Sequence, residues 1–197
     1  VAYKLPSMSD LGNFLRNAIK EKISLSGAGD HTVSEAIYMT DPEGNGIEIY
    51  SDRDKELWTW ENGHVAMGTD EVNVEKLFEI SDGMPEYVLP IGSVIGHVHL
   101  ESHNLTEYKD FYINNLKLNI TSELQSAYFL SHDNYHHHFG MNQWNPNYTK
   151  AKSEISTGVE RIFITVSKDK YEEIFSDREY KKTIVDPNKI EINIITT

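Results

Sequence analysis

The sequence has no cysteine among its 197 residues, and this absence excludes several kinds of chemistry. Disulfide bonds, thiolate metal sites and a cysteine nucleophile are all ruled out. Because disulfides belong to oxidising compartments, a chain without cysteine fits a reducing cytoplasm, which is the predicted location. The sequence also lacks a hydrophobic run of the kind that forms a transmembrane helix or a signal peptide, so no membrane partner is expected.

Basic residues are scarce as well. Lys and Arg number 18 against 31 Asp and Glu, which gives a formal net charge of −13 at pH 7. A chain of this sign repels a phosphate backbone, so nucleic acid is not a predicted partner. The hydrophobic content of 39% and the aromatic content of 11% are enough to build one or two ordinary cores.

A repeated supersecondary unit is the most informative feature that is present. Asp41-Pro42 and Asp186-Pro187 each follow a β-rich run and lead into an alternating strand, which predicts two hairpins. Each hairpin follows a helix, and each helix follows a strand. A middle copy covers residues 95–144, with strands expected at 95–100, 127–131 and 135–144. Three copies of one unit predict an α+β protein built from paired βαβββ modules.

Two helices are predicted in the first part of the chain. The first starts at Ser7, and its predicted buried stripe consists of Leu11, Phe14, Leu15, Ala18 and Ile19. The second is short, covers residues 74–80, and lies in a segment rich in glycine, proline and acidic residues.

Histidine is concentrated in the middle copy, at His97, His99, His103, His132 and the run 136–138. Imidazole is a ligand for iron, zinc, copper and nickel. Two histidines with one carboxylate leave positions open on Fe(II) for a substrate and O₂. On a regular strand over residues 135–144, His137 would share one face with Phe139, while the histidines on either side of it would point the other way.

These motifs resemble the vicinal oxygen chelate superfamily, which includes glyoxalases, bleomycin resistance proteins and extradiol dioxygenases. The matching segments occur in the family's order and cover almost the whole chain, at residues 30–53, 96–100, 111–112 and 135–144. Within the superfamily the chain is most similar to two-domain, catechol-2,3-dioxygenase-like proteins. The resemblance implies modules that combine in pairs into cupped mixed sheets, each around one site.

Such proteins have four modules, and this chain shows the second, third and fourth. We therefore expect an N-terminal module to be missing from this sequence, which starts on Val1. The resemblance implies three parts: residues 1–60 as the C-terminal half of a first domain, 61–94 as a linker with a short helix, and 95–197 as a second domain. An open sheet edge is prone to pair with another chain, which allows a homo-oligomer.

The resemblance also implies a set of metal ligands in the second domain. His97 follows Gly96 as the family's first metal histidine does, and His137 matches the second. The family's glutamate stands seven residues after the hairpin aspartate. Seven residues after Asp186 this chain has Asn193, while Glu191 lies two residues earlier on the same face. The implied ligands are therefore His97, His137 and either Glu191 or Asn193.

Glu48 holds the corresponding position after Asp41 in the first hairpin. The resemblance implies that its histidine partners come from the missing module and from the residue before Val1. Glu48 is therefore not expected to bind a metal within this chain.

The implied activity is that of a metal-dependent extradiol dioxygenase. Fe(II) is the expected metal, with Mn(II) or Zn(II) as alternatives, and the substrate would be a small aromatic or another vicinal-oxygen compound. Two alternatives remain open. A glyoxalase-type isomerase would need the metal but no O₂, and a non-catalytic binding protein would need neither. No histidine follows His138, so the acid–base group of ring cleavage is unassigned.

Overall fold

The first predicted helix forms, and its apolar stripe is buried. The computed structural model describes residues 1–83, 86–150, 153 and 157–197. The helix begins after Ser7, whose side chain caps it by accepting a hydrogen bond from the backbone N–H of Asp10. The buried residues of the stripe are Leu11, Phe14, Leu15 and Ala18. Ile19 is 56% exposed, so its predicted burial is wrong.

Contacts divide the chain into a first unit, Val1–His99, and a second unit, Leu100–Thr197. The first unit contains, in chain order, β1 (Ala2–Lys4), α1 (Met8–Lys20), β2 (Leu25–Asp30), β3 (Ser34–Thr40), β4 (Gly46–Asp52), a 3₁₀ turn (Lys55–Leu57), β5 (Trp60–Glu61), β6 (His64–Val65), α2 (Val74–Ile80) and β7 (Val94–Glu101), which extends across the boundary. The domain limits expected at residues 60 and 95 stay a prediction.

The sheet of the first unit is mixed, with the strand order β2-β3-β4-β1-β7. Strand β1 pairs parallel with β4 and antiparallel with β7. One face of the sheet packs against α1 and α2 through a cluster of buried apolar residues, namely Leu5, Leu11, Phe14, Leu15, Ala18, Ile37, Ile49 and Leu77. Helix α2 has the predicted bounds and is therefore confirmed. Met84 and Pro85 of the predicted linker lie outside the described residues.

The second unit contains, after the end of β7, α3 (Leu105–Leu116), β8 (Asn119–Leu124), β9 (Ala127–Ser131), β10 (Phe139–Asn142), β11 (Arg161–Val166), α4 (Lys168–Phe175), β12 (Lys181–Val185) and β13 (Glu191–Thr196). Strands β10, β9 and β8 are neighbours in that order, and β11, β13 and β12 form a separate three-stranded sheet. Strand β8 is a strand that the sequence pattern did not reveal.

The last strand of the middle copy is shorter than predicted. Strand β10 begins at Phe139, so the histidine run precedes it. Asp133 and Asn134 have positive φ angles of 58° and 54°, which interrupt an extended backbone. The carbonyl of His136 accepts its hydrogen bond from the Thr121 hydroxyl. The predicted assignment of His137 and its neighbours to alternate faces of a strand is therefore wrong.

The predicted fold class is confirmed. Two copies of the βαβββ unit are complete, as β1-α1-β2-β3-β4 and β7-α3-β8-β9-β10. The last copy, β11-α4-β12-β13, has one strand fewer after its helix. In both the first and the last copy the initial strand runs parallel to the final hairpin strand. Within the part of the chain that the structure describes, no helix combines the length and the apolar character needed to cross a membrane.

Candidate metal centre

Three neighbouring strands bring a carboxylate and a histidine together in the first unit. The register pairs Glu48 of β4 with Ala2 of β1, and Ala2 with His97 of β7. Directly paired residues point to the same face of a sheet. Ala2 between them is fully buried and offers only a methyl group, so the two longer side chains meet above it. The Glu48 Oε2 atom lies 3.3 Å from His97 Nε2.

His99 adds a second imidazole to this arrangement. It follows His97 by two residues on β7 and therefore shares its face. Its Nε2 atom lies 3.6 Å from the same Glu48 oxygen. The two rings are in edge-to-face contact with centroids 5.0 Å apart, and each offers a ring nitrogen within 4.8 Å of the other.

The charge state of these groups suits metal binding. Burial, together with the neighbouring His97, lowers the pKa of His99 to about 3, so this ring is neutral at pH 7. A neutral imidazole keeps the lone pair that a metal ion needs. His97 and Glu48 are buried, at 3% and 7% exposure. A buried carboxylate needs a cation or strong hydrogen bonds to offset its loss of hydration.

The donor set fits a divalent metal. Ligand atoms held about 2.1 Å from one ion lie about 3.0 to 3.4 Å apart. The separations of 3.3 and 3.6 Å from the Glu48 oxygen are close to that range. Two imidazoles with one carboxylate form the ligand set of non-haem Fe(II) sites, and imidazole and carboxylate also bind Zn(II) and Mn(II). Glu48, His97 and His99 therefore form a candidate metal site.

A β-bulge at Gly96 positions the first histidine. The register of β1 and β7 shifts so that Gly96 is an extra residue between the paired positions. A Cβ atom on Gly96 would lie 1.8 Å from the Tyr50 hydroxyl. The Tyr50 ring is fully buried and packs against the His97 ring at a centroid distance of 4.6 Å. The glycine therefore leaves the space that Tyr50 needs to hold His97 in place.

A tyrosine and a histidine lie beside the carboxylate. Tyr38 of β3 is the direct cross-strand partner of Glu48. The Tyr38 hydroxyl lies 2.5 Å from His31 Nε2, and His31 Nδ1 lies 3.0 Å from the Gly68 carbonyl oxygen. A carbonyl oxygen only accepts, so the Nδ1-protonated tautomer of His31 suits both contacts: Nδ1 donates to Gly68, and Nε2 accepts the Tyr38 proton. Burial and the charge of Glu48 raise the pKa of Tyr38, so this phenol is protonated.

The other predicted ligands belong to the second unit. His137 is buried and precedes β10. Glu191 forms an ion pair with Arg161, with 2.7 Å between Oε2 and Nε. The Asn193 amide oxygen accepts a hydrogen bond of 2.8 Å from the Thr183 hydroxyl. The ligand roles of His137, Glu191 and Asn193 stay predictions.

The structure places Glu48 beside two histidines of this chain, His97 and His99, whereas the expectation took its histidine partners from the missing module and from the residue before Val1. A ligand role for Glu48 within this chain is therefore a proposal. The position of Glu48, seven residues after Asp41, is the sequence signal that draws attention to this carboxylate. The pairing of β1 with β7 brings the histidines close to Glu48. It joins distant parts of the chain, such as Ala2 and His97, and leaves no local trace in the sequence.

Comparisons with known proteins support the predicted fold class and the resemblance to a known family. No protein-family model matches the chain. The chain is 38% identical over 162 residues to the curated protein "Catechol-2,3-dioxygenase" of Bacillus subtilis (strain 168). The matched residues make up 81% of this chain and 56% of that protein. The chain thus spans little more than half the length of this relative. A solved structure from Bacillus subtilis, provisionally assigned as a dioxygenase, matches with a TM-score of 0.55 at 14% identity, over 99% of this chain and 60% of that one.

Proposed function

Because the chain belongs to the vicinal oxygen chelate superfamily, we propose that it is a metal-dependent extradiol dioxygenase that cleaves a catechol or a related small aromatic. The observation that carries this proposal is the buried Glu48 carboxylate beside His97 and His99. The identity of 38% to a protein named Catechol-2,3-dioxygenase supports this choice among the superfamily's reactions.

Glu48, His97 and His99 are the proposed ligands in the first unit, and the motif adds His137 as a further proposed ligand. Fe(II) is the proposed metal, with Mn(II) and Zn(II) as alternatives. When bound, such an ion supplies Lewis acidity and a template that aligns two vicinal oxygens of a substrate with O₂. Glu191 and Asn193 remain the rival candidates for the carboxylate position.

Tyr38 and His31 are the proposed proton-transfer groups. The Tyr38 oxygen donates its proton to His31 Nε2 and keeps lone pairs that can accept another hydrogen bond. A substrate hydroxyl next to Tyr38 would pass its proton to the phenol oxygen while the phenol proton moves to His31. The imidazolium that forms is held by its Nδ1–H on the Gly68 carbonyl. The buried residues Ala2, Ala36 and Tyr50 form an apolar floor that keeps water from this face.

Metal content by mass spectrometry of anaerobically purified protein tests the ligand set. We expect about one ion per chain in the wild type and less than about a tenth of that in Glu48→Gln, since the substitution removes the only anionic donor of the three. Glu191→Gln is the matched control, because it makes the same change at the rival carboxylate, and it should keep the ion. Loss of the ion from Glu191→Gln but not from Glu48→Gln would move the site to the second unit.

Oxygen uptake in the presence of catechols tests the reaction. A dioxygenase consumes O₂ together with substrate. Bound metal without oxygen uptake would instead favour the glyoxalase-type isomerase, and a wild type that binds no metal would favour the non-catalytic binding protein.

The same proposal includes a cytoplasmic location, which the absence of cysteine supports. The excess of acidic residues supports the proposed absence of a nucleic-acid partner. A homo-oligomer is proposed through a sheet edge, and light scattering coupled to size-exclusion chromatography would test it.

A further inference from the structure

His136 and His137 form a buried pair in the second unit, and we propose that His136 is a positioning residue that fixes the tautomer of His137. Their Nδ1 atoms lie 2.7 Å apart, and their ring centroids lie 4.6 Å apart. The inference rests on the proposed function, because it takes His137 as a metal ligand. The ligand motif assigns a role to His137 only, and the proposal adds a role for His136.

The distance between the two Nδ1 atoms requires a shared proton. At 2.7 Å one nitrogen donates and the other accepts. If His137 accepts, the hydrogen of its neutral ring must be on Nε2, which blocks that atom as a ligand. If His137 donates from Nδ1, its Nε2 atom keeps the lone pair. The second arrangement is the one that lets His137 bind a metal through Nε2, and it needs His136 as the acceptor.

The backbone of this segment is what allows the two rings to meet. Consecutive residues of a regular strand point to opposite faces, so a strand at this position would hold the rings apart. The pair instead precedes β10, and the backbone carbonyl of His136 accepts a hydrogen bond from the Thr121 hydroxyl. The backbone N–H of His138 donates to the Leu130 carbonyl at 2.9 Å. These two bonds fix the chain on both sides of His137.

Aromatic contacts hold both rings in this orientation. His136 is fully buried, and its ring packs against Tyr135 with centroids 4.2 Å apart. The His137 ring also contacts Phe129, at a centroid distance of 5.0 Å and an interplanar angle of 70°. Neither ring can turn away without breaking a packed contact. These ring contacts therefore help to hold the two Nδ1 atoms within hydrogen-bond distance of each other.

Nitrogen-15 NMR of histidine-labelled, metal-free protein tests the tautomer directly. We expect His137 to carry its hydrogen on Nδ1, with Nε2 showing the chemical shift of an unprotonated nitrogen. The His137→Gln spectrum assigns the signal. A hydrogen on Nε2 of His137 in the neutral protein would overturn the inference, whatever the activity of the enzyme.

Zn(II) affinity, measured by competition with a chromophoric chelator, tests the consequence. Loss of an outer hydrogen-bond partner costs about 10- to 100-fold in metal affinity, and we expect this for His136→Phe. His136→Asn places an amide oxygen near the position of the lost Nδ1 and should recover most of the affinity. His132→Phe is the matched control, since His132 bonds the Leu116 carbonyl and lies outside the pair. It should bind Zn(II) like the wild type.

The two proposals fail in different ways. If Glu48→Gln abolishes Zn(II) binding and His136→Phe binds as tightly as the wild type, the positioning role is wrong and the metal site stands. If the wild type does not bind Zn(II), the proposed function itself is wrong. If His136→Phe loses its fold by circular dichroism, the wild-type NMR spectrum still decides the tautomer.

Discussion

The two Asp-Pro hairpins share one turn and differ in the strand that leaves it. Asp41 accepts backbone hydrogen bonds of 2.9 and 2.8 Å from the residues two and four positions later, and Asp186 accepts the same pair at 2.8 and 2.7 Å. Seven residues after the aspartate, the first hairpin presents Glu48 to two histidines, whereas the second presents Asn193 to Thr183. The aspartate therefore builds the turn in both copies, and the proposed metal site uses a residue that the turn does not need.

The surroundings of the two turns also differ. Asp41 is partly exposed, and its carboxylate accepts a hydrogen bond from the Asn45 side-chain amide. Asp186 is buried and accepts a hydrogen bond of 3.0 Å from the Tyr112 hydroxyl of α3. The second turn is thus tied to a helix. One copy places a carboxylate beside two histidines, and the other is attached to a helix of its own unit.

The largest effect is expected when the carboxylate is moved from one hairpin to the other. The double variant Glu48→Asn/Asn193→Glu should lose at least about 100-fold in metal affinity, because the carboxylate leaves the two histidines of the first unit. Isothermal titration calorimetry would measure this. Asn193→Glu alone should bind like the wild type. If the double variant kept its metal affinity, the proposed difference between the two hairpins would be wrong and the metal site would lie on β13.

The turn at Asp186 should contribute more stability than the turn at Asp41. Asp186→Ala removes a buried acceptor from two backbone N–H groups and the Tyr112 hydroxyl, so we expect a loss of about 3 kcal/mol in the free energy of unfolding. Asp41→Ala should cost clearly less, since water can replace the lost bonds. Urea denaturation followed by circular dichroism measures both. Equal losses would mean that burial does not distinguish the two turns.

A smaller effect is expected at the third residue after each aspartate. Both positions have positive φ angles, 86° at Gly44 and 63° at Lys189. Only glycine adopts this conformation without strain, so Lys189→Gly should raise stability by about 0.5 kcal/mol and Gly44→Ala should lower it by about 1 kcal/mol. Thermal unfolding of the two variants checks the signs. A loss of stability in Lys189→Gly would show that the lysine side chain contributes more than the strain costs.

The smallest effect is a pH dependence at the first turn. Hydrogen bonds from the side chain and backbone of Asn45 lower the pKa of Asp41. A carboxyl with a lowered folded pKa stabilises the fold above its unfolded pKa, and this contribution is lost as the pH falls through the folded value. Between about pH 6 and pH 2 the wild type should therefore lose more stability than Asp41→Asn. Parallel unfolding curves for both proteins over this range would contradict the prediction.

Local signals were sufficient to predict most of the secondary structure. Helix α2 has the predicted bounds, and β11, α4 and β12 follow the order strand, helix, strand that the last copy of the repeat predicts before Asp186. Strand β8 was missed because its sequence, Asn119–Leu124, mixes polar and apolar residues without clean alternation. The histidine run was misplaced on a strand because the left-handed residues Asp133 and Asn134 carry only a weak turn signal.

The candidate site was harder to predict because it depends on long-range pairing. The motif predicts His97 as a ligand, whereas Glu48 has the family's spacing after Asp41 but is not expected to bind a metal within this chain. Nothing near either residue indicates that β1 lies between β4 and β7. The sequence therefore predicts the third ligand on the last strand, where Asn193 holds the position that corresponds to Glu48.

Strand β1 is only three residues long, and its Ala2 lies in the register row between Glu48 and His97. Any ion held by the residues on both sides therefore also holds β1 in the sheet, so metal occupancy and the attachment of β1 are thermodynamically linked. At a free metal concentration of about a hundred times the dissociation constant, binding would add about 2.7 kcal/mol to the stability of that arrangement. Removal of the ion should consequently speed hydrogen exchange at β1 before it affects the helices.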